Sequence, residues 1–356
     1  MYIVDIHIHA RDFNQRSKET IDHALKVARK AGVSAVLAMP NTDPTLSSEV
    51  EVLDYKNIAE QSSVKDVYFG VYAAVTKNPE QIRTAVKMTE KYPDFVKGLK
   101  LYAGHSTGNI GVIDIREQYL VFDTLARTGY KGILAIHAEK ESRMNNLLFD
   151  RKNPVTHATL ARPTEAEEES IRDMVAIAQQ TNYKGKLHFV HISSSKSVEL
   201  LQKAKREGLD ISSGVCPHHL VYDWNNMKEK DGLLLKMNPP LRAPGENNLM
   251  LEHLREGRID LIETDHAPHT LKDKLGENEK KECASGLPAL HAWPLVVSYL
   301  ELKGFTRNRI EEVVGKRAAE RFNLPIGGFK QLRGVYDPTA YPFNVWRPLE
   351  EMVIRN

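Results

Sequence analysis

The sequence of 356 residues contains only two cysteines, Cys216 and Cys283. They stand far apart and form no CxxC pair, which excludes a structural zinc site built on paired cysteines, and no disulfide framework is expected. Such sparing use of cysteine fits a reducing compartment, and the expected location is the cytoplasm. An excess of one charge is also missing. The 49 Lys and Arg side chains face 47 Asp and Glu, a net charge of +2. That balance provides no electrostatic footprint for nucleic acid or an anionic membrane as partner. The basic run Lys26 to Lys30 lies on a helix-like stretch and reads as a solvated face. No apolar run approaches the roughly 18 to 20 residues that span a bilayer. The opening MYIVDIHIH has no basic segment followed by a long apolar one, so no secretory leader is expected.

What remains is ordinary for a globular chain: 41% hydrophobic and 27% charged residues. Short β-branched runs alternate with longer amphipathic segments. The strands are expected at 3–8, 34–38, 67–73, 96–101, 132–136, 186–190, 209–213 and 259–263. Their nearly continuous hydrophobicity suits parallel strands covered on both faces. Helices are expected at 18–31, 47–61, 79–91, 114–127, 164–180 and 196–206, with Asp114 and Thr164 as N-caps and Gly32, Gly129 and Gly208 as stops. Further helices are expected at 288–303, 307–314 and 316–322. Eight strands alternating with helices point to an α/β fold, a (β/α)8 barrel of the TIM type; an open doubly wound sheet has the same alternation. The segments 217–257 and 269–286 read as long functional loops. The barrel with its C-terminal helices is expected over 1–326, and an irregular tail packed on it over 327–356.

In a (β/α)8 barrel, chemistry sits at the C-terminal ends of the strands. There the sequence places His7 and His9, Asn41, Lys100, His137, His191 and Asp265. Residues two apart on a strand share a side, so two imidazoles of an HxH pair can meet one metal ion. Alone, the pair fits two surface histidines better than a metal. Four histidines and an aspartate at one rim fit the nitrogen and oxygen ligands of zinc and similar ions far better. Lys100 is the odd member. A charged amine beside cations is costly. Carbamylation by carbon dioxide would convert it into a bridging carboxylate, whereas an ordinary lysine would reach solvent from the strand end.

DIHIHARD, AMPNTDP, GLKLYAG, IHAE, VHIS, CPHHL, MNPPLR, TDHAPHT and SGLPAL follow one another from Asp5 to Leu290. Together they resemble the amidohydrolase superfamily, and within it the dihydroorotases. The resemblance implies a barrel with two zinc ions per subunit. His7, His9 and Asp265 would hold one, His137 and His191 the other, and carbamylated Lys100 would bridge them. It implies Asp265 as the proton-transferring residue. It also implies that Arg11, Asn41 and His269 bind a substrate carboxylate, for which an Arg fork is well suited, and that Asn238 walls the substrate ring.

The implied reaction is reversible hydrolysis of dihydroorotate to N-carbamoyl-L-aspartate in pyrimidine synthesis. Ser106 or Thr107, in the small polar segment after Lys100, would hydrogen-bond the substrate. His218 and His219 read as supporting residues rather than ligands. Many relatives place a β-sandwich portion before strand one; little or none of it is expected here. A homodimer and association with aspartate transcarbamoylase are further expectations from the resemblance. The competing readings are an allantoinase or hydantoinase, which Arg11 and Asn41 oppose, and a non-catalytic scaffold for aspartate transcarbamoylase, which the filled ligand positions oppose.

Overall fold

The computed structural model of the chain describes residues 1–106, 110–276, 283–325 and 333–355. Eight strands form a single sheet in sequence order: β1 (Ile3–Ile8), β2 (Val33–Ala38), β3 (Tyr68–Ala74), β4 (Val96–Tyr102), β5 (Ile133–His137), β6 (Lys186–Phe189), β7 (Ile211–Val215) and β8 (Leu261–Ile262). Every neighbouring pair is parallel. The sheet closes through a parallel bridge between Ile8 and His266, where the His9 amide donates to the His266 carbonyl at 2.7 Å. The α/β fold is therefore a (β/α)8 barrel, and the open sheet is set aside.

Helices α1 (Ile21–Lys30), α2 (Glu49–Glu60), α3 (Pro79–Lys91), α4 (Ile115–Arg127), α5 (Thr164–Gln180) and α6 (Ser195–Arg206) separate the first seven strands. Their ends follow the expected chemistry. The Asp114 carboxylate accepts from the Arg116 amide, and Gly129 and Gly208 take the left-handed backbone just past α4 and α6. One cap is corrected: Pro163 occupies the N-cap of α5, and Thr164 is its first helical residue.

The connection 217–257 is not all loop. It holds α7 (Pro217–Val221) and α8 (Glu246–Arg255), the latter burying Met250, Leu251 and Leu254 behind a polar ENN opening that masks the pattern. After β8 come α9 (Leu271–Leu275), α10 (Trp293–Leu302), α11 (Arg307–Glu311) and α12 (Arg317–Arg321).

The tail is also corrected. Its expected start at 327 lies outside the described residues, but its end forms α13 (Arg347–Ile354), with Leu349 buried. The segment is tied down by Trp346, whose indole N–H donates to the Pro288 carbonyl at 2.8 Å, and by Tyr341, whose hydroxyl donates to Glu19 at 2.8 Å. No helix among the described residues is long and apolar enough to cross a membrane.

The barrel interior is filled by Val4, Ile6, Ala35, Leu37, Met39, Tyr72, Ala135, Val190 and Leu261. Ala318, Ala319 and Phe322 close its lower end. This plug leaves only the upper rim open for chemistry.

Candidate active site

The rim residues reach one place only because two strands break their regular geometry. Val4 and Ile6 already face inward, so strict alternation would turn His7 outward. A register irregularity between Asp5 and Ile8 reverses the parity, and His7 and His9 enter the rim together. Beyond β6 and β8, His191 and Asp265 adopt positive φ angles of 39° and 49°. Such backbone is strained for residues other than glycine and concentrates at functional sites.

The resulting distances are short. Asp265 Oδ1 lies 3.2 Å from His7 Nε2 and 2.9 Å from His9 Nε2. His137 Nδ1 lies 3.0 Å from His191 Nε2. The His7 and His191 rings join the two pairs, with centroids 5.1 Å apart. Lys100 is wholly buried, and its amine has no hydrogen-bond partner among the described residues. Burial lowers that amine to about 7, so much of it is neutral at physiological pH. Burial likewise lowers His9 to about 4, against the pull of Asp265. Burial pushes the Asp265 carboxyl up, but the His7 and His9 imidazoles outweigh it and hold it well below the usual range. Burial also pulls His7 down, but Asp265 and Glu263 outweigh it and raise its imidazole. A divalent ion bound there would displace a proton from His7, whereas His9 is already neutral beside the ionised carboxylate. The donor atoms of His7, His9 and Asp265 all lie within 4.8 Å of one another. This set, with an orphaned buried amine beside it, fits a divalent-metal centre.

The neighbours that aim these candidate ligands were mostly invisible in the sequence. Asn41 places its carboxamide oxygen 2.7 Å from His9 Nδ1. Glu263 lies 3.7 Å from His7 Nδ1 and accepts from the His191 amide at 2.5 Å. Glu139 lies 3.0 Å from His137 Nε2 and is itself gripped by Arg162. Carboxylates behind metal-binding imidazoles set ring orientation and tautomer. Gly214 belongs to the same device, because a Cβ there would stand 2.3 Å from Glu263 Oε1. Glu139 and Glu263 each lie two residues from a candidate ligand in the chain, on IHAE and ETD; that adjacency was the one available signal.

A small cavity opens above the candidate ligands. Arg11, Tyr102, Ser106, Asn238, Ser285 and Gly286 line it together with the histidines and Asp265. Thr107 lies outside the described residues. Arg11 is 2% exposed and makes no ion pair among the described residues; its Nη2 lies 3.5 Å from His269 Nε2. His269 is held in turn against the Ser285 carbonyl at 3.0 Å. Asn238 lines the cavity with its carboxamide oxygen already engaged, 3.0 Å from His157 Nε2. Asn41 is drawn toward His9 and does not line the cavity. His218 and His219 also lie off the cavity, buried beside Cys216.

No protein-family model matches the chain. It is 32% identical over 342 residues to a dihydroorotase of Pediococcus pentosaceus, covering 95% of this chain and 76% of that one. A dihydroorotase of Methanosphaera stadtmanae is 29% identical over 350 residues, covering 96% and 75%. Among solved structures, the L-hydantoinase (dihydropyrimidinase) of Arthrobacter aurescens superposes with a TM-score of 0.80 at 22% identity, covering 93% of this chain and 73% of that one. A dihydroorotase of Saccharomyces cerevisiae, solved in complex with 5-fluoroorotic acid, gives 0.73 at 16% identity, with 93% and 85% covered. At those identities the structures attest the fold.

Proposed function

The chain belongs to the dihydroorotase family, and from that premise we propose that it interconverts dihydroorotate and N-carbamoyl-L-aspartate by opening and closing a cyclic amide. One observation carries the choice among cyclic amides. Arg11 is a buried cation at the cavity and makes no ion pair among the described residues. An uncompensated buried charge is expensive, and a substrate carboxylate compensates it.

His7, His9 and Asp265 would hold one zinc-class ion and His137 and His191 a second, and Lys100, if carbamylated, would supply a further carboxylate oxygen donor to them. Such ions, when bound, polarise the ring carbonyl and lower the pKa of the attacking water. Everything else falls to the chain. Arg11 and His269, with Asn41 at the edge of the site, hold the carboxylate, which fixes where the ring carbonyl rests. Asn238, its oxygen occupied by His157, offers its amide hydrogens to the ring. Asp265 takes a proton from water as the oxygen bonds to the carbonyl carbon. It returns that proton to the ring nitrogen as the carbon–nitrogen bond breaks. Glu263, Glu139 and Asn41 keep the imidazoles oriented throughout.

The direct test is a substrate panel with the metal-loaded protein. Dihydroorotate should be opened and carbamoyl-aspartate closed. Dihydrouracil, hydantoin and allantoin should be at least about 10²-fold poorer in kcat/KM, the discrimination expected when a buried charged group loses its partner. Equal or better turnover of the uncharged imides would reject the assignment.

Lys100 makes its own prediction. A neutral buried amine adds to carbon dioxide, forming a nitrogen–carbon bond and releasing one proton. After incubation with ¹³C-bicarbonate, the metal-loaded protein should show one carbamate carbon resonance that Lys100→Ala lacks. A free amine in an active protein would remove the bridge.

A further inference from the structure

Among the described residues, two groups of His, Cys and carboxylate side chains bring their donor atoms within 4.8 Å of one another. One is His7, His9 and Asp265. The other is Cys216, His218 and His219, and the reaction above uses none of its members.

This second group stands where the chain leaves β7. Cys216 is extended, Pro217 opens α7, and both histidines follow in its single turn. The three side chains are fully buried. The two rings meet edge to face with centroids 4.4 Å apart. None of the three lines the active-site cavity.

Their hydrogen bonding is unfinished. Among the described residues, neither ring nitrogen of His218 has a partner, nor does Nδ1 of His219. His219 Nε2 lies 3.2 Å from the Pro239 carbonyl, so it carries the proton and Nδ1 carries a lone pair. Buried polar atoms are almost always satisfied, and here three gather in one place beside a thiol. The same signature, orphaned polar atoms among convergent donors, marks the rim at His7 and Lys100. Burial keeps His218 neutral, lowering it to about 4, and with His218 it lowers His219 as well. Neutral imidazole is the form that ligates metal. The Cys216 thiol is pushed up by burial and by the carboxylates of Asp265, Glu263 and Asp5. A cation would bind its thiolate with release of one proton, and those carboxylates would offset the added charge.

We propose that Cys216, His218 and His219 bind a zinc-class divalent ion, separate from the cyclic-amide centre. One sulfur and two imidazole nitrogens select zinc, or cobalt in its place, over magnesium or calcium. The ion staples the end of β7 to α7 and leaves one coordination position for water.

Cobalt distinguishes the two centres. The rim offers only nitrogen and oxygen donors, so a thiolate-to-cobalt charge-transfer band reports Cys216 alone. The chain is stripped with a chelator, titrated with Co²⁺, and followed by near-ultraviolet absorption, metal counting and dihydroorotate turnover. The expected result is a charge-transfer band with one cobalt per chain beyond those of the rim. The band should vanish in Cys216→Ser and persist in Cys283→Ser. Absence of the band in the unmodified chain at cobalt levels that saturate the rim overturns the proposal, and so does a band that survives Cys216→Ser. The first of these needs no variant to fold. A band without turnover would strike the dihydroorotase reading alone; turnover without a band would strike only the second metal site.

Discussion

Asp265→Asn is expected to keep its metal and lose about 10²- to 10⁴-fold in kcat, the span associated with removing a positioned acid–base group. The substitution is nearly isosteric. An amide oxygen can still face His7 and His9, which lie 3.2 and 2.9 Å from Asp265 Oδ1. What the amide cannot do is accept a proton from water and pass it to the ring nitrogen. In the parent chain the imidazoles outweigh burial and keep this carboxylate ionised, so it is ready as a base. Metal counting and turnover measured on one preparation decide the matter. Full metal with near-normal turnover would take proton transfer away from Asp265.

Arg11→Met should produce the second large effect, and it should depend on the substrate. Loss of one partner of a buried, hydrogen-bonded charge pair costs about 2–5 kcal/mol, or roughly 30- to 3000-fold. We therefore expect kcat/KM for dihydroorotate to fall by about 10²- to 10³-fold, while an uncharged imide such as dihydrouracil changes little. Stability should move the other way. Arg11 is buried without an ion pair among the described residues, and methionine fills much of the same volume without the charge. The melting temperature of the ligand-free variant should not fall and is expected to rise, the usual exchange of stability for a functional site. Equal losses on both substrates would show that Arg11 shapes the site without recognising the carboxylate.

Much of this was legible because it is local. A parallel strand covered on both faces reads as a short apolar run, and an amphipathic helix reads as a 3.6-residue stripe, whatever they later pack against. Most expected strands fall within two residues of the observed ones, and Pro79–Lys91 matches its helix at both ends. The failures have equally local causes. A polar ENN opening hid α8. Scattered aromatic anchors hid the order of the tail, because Trp346 and Tyr341 find their partners only on distant elements.

By itself, then, the sequence determined the (β/α)8 class, the rim positions, and residue types that suit a metal and a carboxylate. Periodicity and the chemistry of each side chain suffice for that. The tertiary structure alone decided which atoms meet. His9 and Asp265 lie 256 residues apart and come within 2.9 Å only when the barrel closes between Ile8 and His266. The parity reversal in β1, the positive φ of His191 and Asp265, and the Glu263 carboxylate fitted against Gly214 are products of that closure. They depend on neighbours far away along the chain, and no pattern within a strand announces them.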